Sequence, residues 1–202
     1  LHAQMLEQFR LATGSEAPAA ALLIALEADL GLPSPPILLC GPRASGKSTL
    51  GRLLARVLDW PFVDADAELE RRHQRSIAEW LPIDHEGFRA AEADLLQELA
   101  QRPAQVIALG GGVVETPAAL AALSAHPRVL GLALEPADQL DRREHSDDRP
   151  ALTGLPLREE IELLHQRRSP LYEIACSGRW LYVGGMRADS FHRLLLRLKL
   201  LL

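Results

Sequence analysis

A glycine-rich turn between an apolar run and a helical pattern constrains this chain more than any other feature. Residues Gly41, Pro42, Arg43, Ala44, Ser45, Gly46, Lys47, Ser48 and Thr49 fit the spacing G-x-x-x-x-G-K-[ST]. They follow directly on Ile37, Leu38, Leu39 and Cys40. They lead into Leu50, Leu53, Leu54, Val57 and Leu58, which recur at helical spacing. Strand, glycine loop and helix in that order are the context this pattern requires. Glycines let successive backbone N–H groups turn inward on an anion, and the helix N-terminus adds positive potential. A lysine at the seventh position reaches the terminal phosphates, and the hydroxyl after it ligates a divalent cation. The turn is therefore expected to hold the phosphates of a nucleotide through Gly41, Ala44, Ser45, Gly46, Lys47, Ser48 and Thr49, with Mg2+ on Ser48.

The remaining chain repeats short apolar runs and longer helical patterns. The runs lie at 37–40, 61–63, 105–109, 128–133 and 179–183. Helices are expected near 47–58, 66–73, 87–100, 117–125, 137–144, 158–174 and 189–202. Strands that read as unbroken apolar runs between helices indicate a parallel sheet covered on both faces, so the class is α/β. Gly31, Leu32, Pro33, Ser34, Pro35 and Pro36 form a break that no helix crosses. It divides a helical N-terminal extension, 1–36, from one domain, 37–202. The final helix is expected to pack on the core.

Composition narrows the function classes. The 202 residues are 48% hydrophobic and 24% charged, in the globular range, which excludes disordered and fibrous chains. A net charge of −5 gives no general field for nucleic acid or an anionic membrane. The longest apolar stretch, 17–26, is half of the roughly 20 residues a bilayer span needs. Two cysteines, Cys40 and Cys176, are too few for a disulfide framework or a four-thiolate zinc site. They are expected to be small buried residues of a cytoplasmic protein. The seven histidines show no metal spacing and are expected at the surface.

A phosphate loop names a superfamily, so the acceptor must be read elsewhere. Asp64 and Asp66 stand at the carboxyl end of the second run, where open α/β sheets bind ligands, although a helix N-cap explains one of the two. Arg89 and Glu92 are three apart on one helix face. Gly110, Gly111 and Gly112 end the third run and permit close backbone approach. Arg149 lies in a polar stretch, 144–154, suited to a lid. Arg168 falls in a late helix.

In order, GPRASGKST (41–49), FVDAD (62–66), SIAEW (76–80), FRAAE (88–92), LGGGVV (109–114), DRP (148–150) and RRSPLY (167–172) resemble the shikimate kinases across 37–202. The resemblance implies a three-layer α/β/α fold with a five-stranded parallel sheet. It implies transfer of the γ-phosphoryl group of MgATP to the 3-hydroxyl of shikimate. By motif, Asp66 holds the shikimate hydroxyls, and Asp64 orients waters around Mg2+. Arg89 and Arg168 clamp the carboxylate, and Gly110, Gly111 and Gly112 line the substrate. Arg149 closes over the transferring phosphate, and Arg142 lies beside the adenine. The chemistry agrees, because a small carboxylate polyol calls for the bidentate cation that arginine supplies. Three departures stand out: the loop 82–87 is one residue short, Ala151 follows the lid Arg-Pro, and Gly184, Gly185 and Met186 replace an Asp-Thr near the adenine.

The extension has its own resemblance. Leu1, His2, Ala3 and Gln4, then Phe9 to Thr13 and Gly14, are similar to the C-terminal segment of shikimate dehydrogenases, with Gln4 as the shikimate-touching residue and Ala12 where a tryptophan is usual. It implies a dehydrogenase fused upstream. Two other readings stay open. One is a different P-loop kinase, such as a gluconate or nucleotide kinase. The other is a ligand-sensing domain of a transcriptional regulator, against which stand Lys47, Asp64, Asp66, Arg89, Arg149 and Arg168.

Overall fold

The computed structural model describes residues 34–144 and 154–184. Five strands, β1 (Ile37–Cys40), β2 (Phe62–Asp64), β3 (Val106–Ala108), β4 (Val129–Ala133) and β5 (Trp180–Tyr182), form one sheet in the order β2-β3-β1-β4-β5. Every pairing is parallel: Leu38 lies opposite Ile107 on one side and Val129 on the other. The helices between them are α1 (Lys47–Leu58), α2 (Ala65–His73), α3 (Ile77–Trp80), α4 (His85–Ala100), α5 (Pro117–Ala125), α6 (Pro136–Glu144) and α7 (Leu157–Cys176). A 3-10 turn, Val113–Glu115, follows β3.

The unbroken apolar strands have the expected cause. Ile37 and Leu39 pack with Leu50, Leu54 and Leu58 of α1. Leu38 and Cys40 point to the other face, among Leu96 and Leu99 of α4, Leu123 of α5 and Tyr172 of α7. Burying one such leucine fully contributes about 1.5–3 kcal/mol, so strand and helix are stable together rather than alone. Parallel pairing then brings the carboxyl ends of all five strands to one edge. Gly41, Asp64 and Gly110 stand there as neighbours, far apart in sequence.

Local chemistry shifts several boundaries. Helix α4 starts at His85, two residues earlier than its apolar pattern begins, because Asp84 caps it by accepting the Gly87 N–H at 2.9 Å. A Cβ on Gly87 would sit 2.1 Å from that carboxylate, so glycine leaves room for the cap. Helix α3 was not expected. It is nucleated by a reciprocal capping box between Ser76 and Glu79, and its Trp80 stacks edge-on against Phe88 at 5.4 Å. Helix α7 runs through Pro170, beside which the Ser169 hydroxyl donates to the His165 carbonyl at 2.7 Å. His126 departs from the surface expectation: its Nδ1 accepts from the Arg128 N–H, and its Nε2 is buried without a hydrogen-bond partner. Cys40 and Cys176 are buried free thiols.

At the start of the described chain, Ser34 is already packed: its hydroxyl accepts from Arg128 at 2.7 Å, and its carbonyl from the Ala104 N–H. The extension before it, including Gln4, the lid with Arg149, and the expected helix 189–202 lie outside the described residues. Among the described residues no helix is long and apolar enough to cross a membrane.

Candidate active site

The phosphate loop is built for an anion. Gly41 (φ 141°), Ala44 (φ 61°) and Gly46 (φ 87°) have left-handed or related positive φ. Ala44 is the unusual one, since a side chain disfavours that conformation and such strain gathers at functional loops. Helix α1 begins with Lys47, has no acidic residue in its first turn and no side-chain cap. That is the reverse of what a helix N-terminus ordinarily attracts, and it leaves backbone N–H groups for a ligand. Lys47 lies back over the loop, its Nζ donating to the carbonyls of Gly41 and Pro42, each at 2.8 Å. Ser45 is buried with its hydroxyl unpartnered, and Thr49 is exposed on the first turn. Arg142 of α6 bridges the loop to β5 by donating to the carbonyls of Ala44, at 3.1 Å, and Val183.

Asp64 joins this loop to the next strand. Its Oδ2 accepts from the Ser48 hydroxyl at 2.6 Å, while Oδ1 caps α2 by accepting the Ala67 N–H at 3.4 Å. The cap uses one oxygen of this carboxylate, and the other is turned to the phosphate loop. A hydroxyl paired with a carboxylate beside a phosphate loop is the oxygen donor set that Mg2+ takes, with phosphates and waters completing six ligands. The fit is good without a cluster of three or more ionisable ligands, and none occurs among the described residues.

Beyond Asp64 lies a buried ion-pair cluster. Arg89 donates through Nη1 to Glu92 Oε2 at 2.6 Å and through Nη2 to Glu115 Oε2 at 3.1 Å. Arg168 donates to the same Glu115 oxygen at 2.9 Å. Two guanidiniums from α4 and α7 thus converge on one carboxylate oxygen. The Nε of each is buried and has no hydrogen-bond partner, a costly arrangement unless a ligand completes it. Glu92 is only 4% exposed, and burial raises its carboxyl pKa, with Arg89 and Arg168 opposing the rise and Asp66 adding to it. The glycines after β3 make room for these groups. A Cβ on Gly110 would lie 2.5 Å from Glu92 Oε1 and 2.6 Å from Asp66 Oδ1, and one on Gly112 2.4 Å from both Arg89 Nη atoms. Gly111 accepts a 2.6 Å hydrogen bond from the buried Tyr172 hydroxyl.

The family model for shikimate kinase matches residues 43–180. The chain belongs to the shikimate kinase family. Shikimate kinase of Halorhodospira halophila is 42% identical over 137 residues, which are 67% of this chain and 77% of that protein. Shikimate kinase of Acinetobacter baumannii, solved in complex with shikimate, aligns with TM-score 0.68 and 31% identity over 83% of this chain and 91% of that one. The enzyme from Bacteroides thetaiotaomicron reaches TM-score 0.73 at 28% identity, covering 81% and 98%. Family membership makes the chain an ATP-dependent kinase and sets aside the gluconate and nucleotide kinase readings.

Most residues that the sequence singled out in this shikimate kinase family member stand together at one edge of the sheet. Lys47, Ser48 and Asp64 form one group, and Asp66, Arg89, Glu92 and Arg168 form the other, with Gly110 and Gly112 between their side chains. The short loop before Arg89 is closed by Asp84, which caps the helix, and by Phe88, which packs on Trp80. The close approach that three glycines permit is used by the protein's own carboxylates and guanidinium at Gly110 and Gly112. A cavity of about 290 Å³ lies beside the clamp, lined by Arg43, Glu160, His165, Arg168 and Tyr172, without Asp66 or Arg89. Glu115 is the residue that sequence reasoning missed. It is 26 positions from Arg89 and 53 from Arg168, and no local pattern marks it.

Proposed function

We propose that this chain transfers the γ-phosphoryl group of ATP to the 3-hydroxyl of shikimate, giving shikimate 3-phosphate and ADP. The observation that carries the proposal is the pair of buried guanidiniums, Arg89 and Arg168, whose unpartnered Nε donors lie beside Asp66 and the phosphate loop. Shikimate offers one carboxylate for the guanidiniums and three hydroxyls for Asp66. Each charge-assisted hydrogen bond to the carboxylate contributes about 1.5–3 kcal/mol. Anchored there, the 3-hydroxyl faces the loop. The O3–Pγ bond forms as the bond from Pγ to the β-phosphate oxygen breaks, and the hydroxyl proton passes to Asp66. Transfer of this kind asks mainly for positioning and charge neutralisation. Lys47 supplies a cation beside the β- and γ-phosphates, Ser45, Gly46 and the first turn of α1 hold the chain of phosphates, and Arg142 borders the adenine side. Ser48 and Asp64, the latter through water, would hold Mg2+, which when bound neutralises phosphate charge. Arg149 is assigned to the lid over the reacting phosphate.

The test is shikimate-dependent ADP release with MgATP. Release that is not raised above background by shikimate, gluconate or nucleoside monophosphates would convert the reading to that of a ligand sensor. Two buried free thiols suit a cytoplasmic location. The extension 1–36 we assign to the tail of a fused shikimate dehydrogenase, a reading supported by its resemblance and tested by the coding sequence upstream.

A further inference from the structure

The carboxylate clamp already contains a carboxylate. Glu115 Oε2 stands where Arg89 and Arg168 converge, and its side chain is 7% exposed, against 12% and 6% for the two arginines. Its other oxygen, Oε1, lies 2.9 Å from Nε of Arg167, at ion-pair distance but out of line for a hydrogen bond. Arg167 is different in kind, since 61% of its side chain is exposed at the rim. One glutamate therefore touches two buried cations with one oxygen and a solvated cation with the other.

The charges define what this does. Arg89 and Arg168 are balanced by Glu92 and Glu115, so the buried cluster is neutral before an acceptor arrives. A substrate carboxylate entering that neutral cluster meets an anion in its place, and Asp66 adds further repulsion nearby. If Glu115 turns from the buried pair to Arg167, Arg168 and Nη2 of Arg89 are released, Arg89 keeps its bond to Glu92, and Glu115 keeps a cationic partner at low desolvation penalty. The two positions are both within reach of the side chain as it stands.

We propose that Glu115 is a positioning residue that acts as an internal stand-in for the acceptor carboxylate, holding Arg89 and Arg168 in place and passing to Arg167 when the acceptor binds. The inference rests on the assignment of Arg89 and Arg168 as the acceptor clamp. It makes Glu115 and Arg167 a coupled pair that sets acceptor affinity without touching phosphoryl transfer.

The experiment is a double-mutant cycle on purified protein, reading shikimate KM and kcat by coupled ADP assay, with thermal melting to check folding. Glu115→Gln keeps the shape and an acceptor oxygen but removes the competing charge, so shikimate KM falls about 3- to 10-fold, the scale of one partly screened ion pair. Arg167→Ala removes the glutamate's alternative partner, so KM rises by a similar factor. In the Glu115→Gln background Arg167→Ala changes nothing further. The kcat stays within about 2-fold throughout, as expected for binding shared by ground and transition states. Arg89→Ala is measured in parallel. If it raises shikimate KM while Glu115→Gln also raises it, or while Arg167→Ala acts equally in both backgrounds, the stand-in is overturned and the clamp survives. If Arg89→Ala leaves shikimate KM unchanged, the clamp reading has failed and the stand-in fails with it.

Discussion

Alanine at Gly112 tests whether the glycines after β3 serve the clamp or the substrate directly. Gly112 has φ −100° and ψ −3°, a conformation that alanine adopts without strain, so only space is at issue. The added Cβ would lie 2.4 Å from both Nη atoms of Arg89 and 2.6 Å from its Cζ. Ordinary contact begins near 3.5 Å, so the guanidinium must retreat by about 1 Å. The backbone need not move, because the obstructing atoms are the end of a flexible side chain. A retreat of that size takes the 2.6 Å bond from Arg89 to Glu92 beyond hydrogen-bonding range. Losing one charge-assisted bond from Arg89 to the acceptor, about 1.5–3 kcal/mol, raises shikimate KM about 10- to 150-fold. The KM for ATP changes by no more than about 2-fold, since nothing on the phosphate loop moves. Stability falls by about 1–3 kcal/mol, the cost of leaving the buried Glu92 carboxylate without its hydrogen-bond partner. The assay is steady-state ADP release at saturating ATP for Gly112→Ala, Arg89→Ala and the double variant. If Gly112 acts through Arg89, the double variant is no worse than Arg89→Ala. Additive losses would refute the reasoning and place the Cβ against the substrate itself.

Lys47→Met lowers kcat at least about 100-fold, in line with removal of one preorganised cation at the developing charge. Shikimate binding, followed by intrinsic fluorescence, persists, and its loss would mean the lysine is a scaffold. Asp64→Asn keeps an oxygen for the Ala67 N–H and retains stability, whereas Asp64→Ala melts lower by about 1 kcal/mol of lost cap. Both raise the Mg2+ concentration needed for half-maximal rate about 10-fold or more, and an unchanged Mg2+ requirement would dismiss the Ser48–Asp64 pair as cation holder. Burial, then Arg128 and Arg179, lowers the His126 pKa to about 4 from the ordinary 6.5. The folded protein leaves it neutral in that window while the unfolded chain binds a proton. Stability is therefore lost as pH falls from 6.5 towards 4, by about 1–2 kcal/mol after allowing for its partial exposure. His126→Gln flattens chemical denaturation midpoints across that window, and an unaltered pH slope would assign the loss to other groups.

The parts legible in the sequence are those whose cause is local. The helix after the phosphate loop begins and ends at Lys47 and Leu58, as its apolar spacing indicates, and every strand overlaps its apolar run because both faces of the sheet are covered. Strand ends are trimmed by a residue, as at Gln105 and Leu109 around β3, although each still shares one backbone hydrogen bond with β1. Helix α3 was legible and overlooked: Ser76 followed three residues later by Glu79 is a capping box in plain view. Glu92 could be paired with Arg89 from spacing alone, one helical turn apart. Glu115 could not, because its partners arrive from α4 and α7 only when the chain has closed around β3. The order of strands, with β1 between β3 and β4, likewise has no local signature in the residues, because it is set by which strands meet once the chain has folded.

The acidic total of the chain invites a picture of a basic cleft drawing anions by field alone. The geometry argues for a different basis of selection. Lys47 donates to two loop carbonyls, Arg142 to two more, and Arg89 and Arg168 are each held by buried glutamates. Among the described residues the two clamp arginines are thus charge-balanced by their glutamates, whereas Lys47 and Arg142 keep their charge. What remains is directional: two buried Nε donors without partners, an uncapped helix terminus, and one carboxylate that can be exchanged for another. Such a site discriminates by where its donors point, because a ligand that lacks a carboxylate at the right distance from its hydroxyls leaves buried donors unpaired, at about 1–3 kcal/mol each. Selection by geometry also explains why arginine, with a fixed planar fork, is used at both clamp positions, whereas lysine suffices beside the phosphates, where a compact charge meets a spread of oxygens.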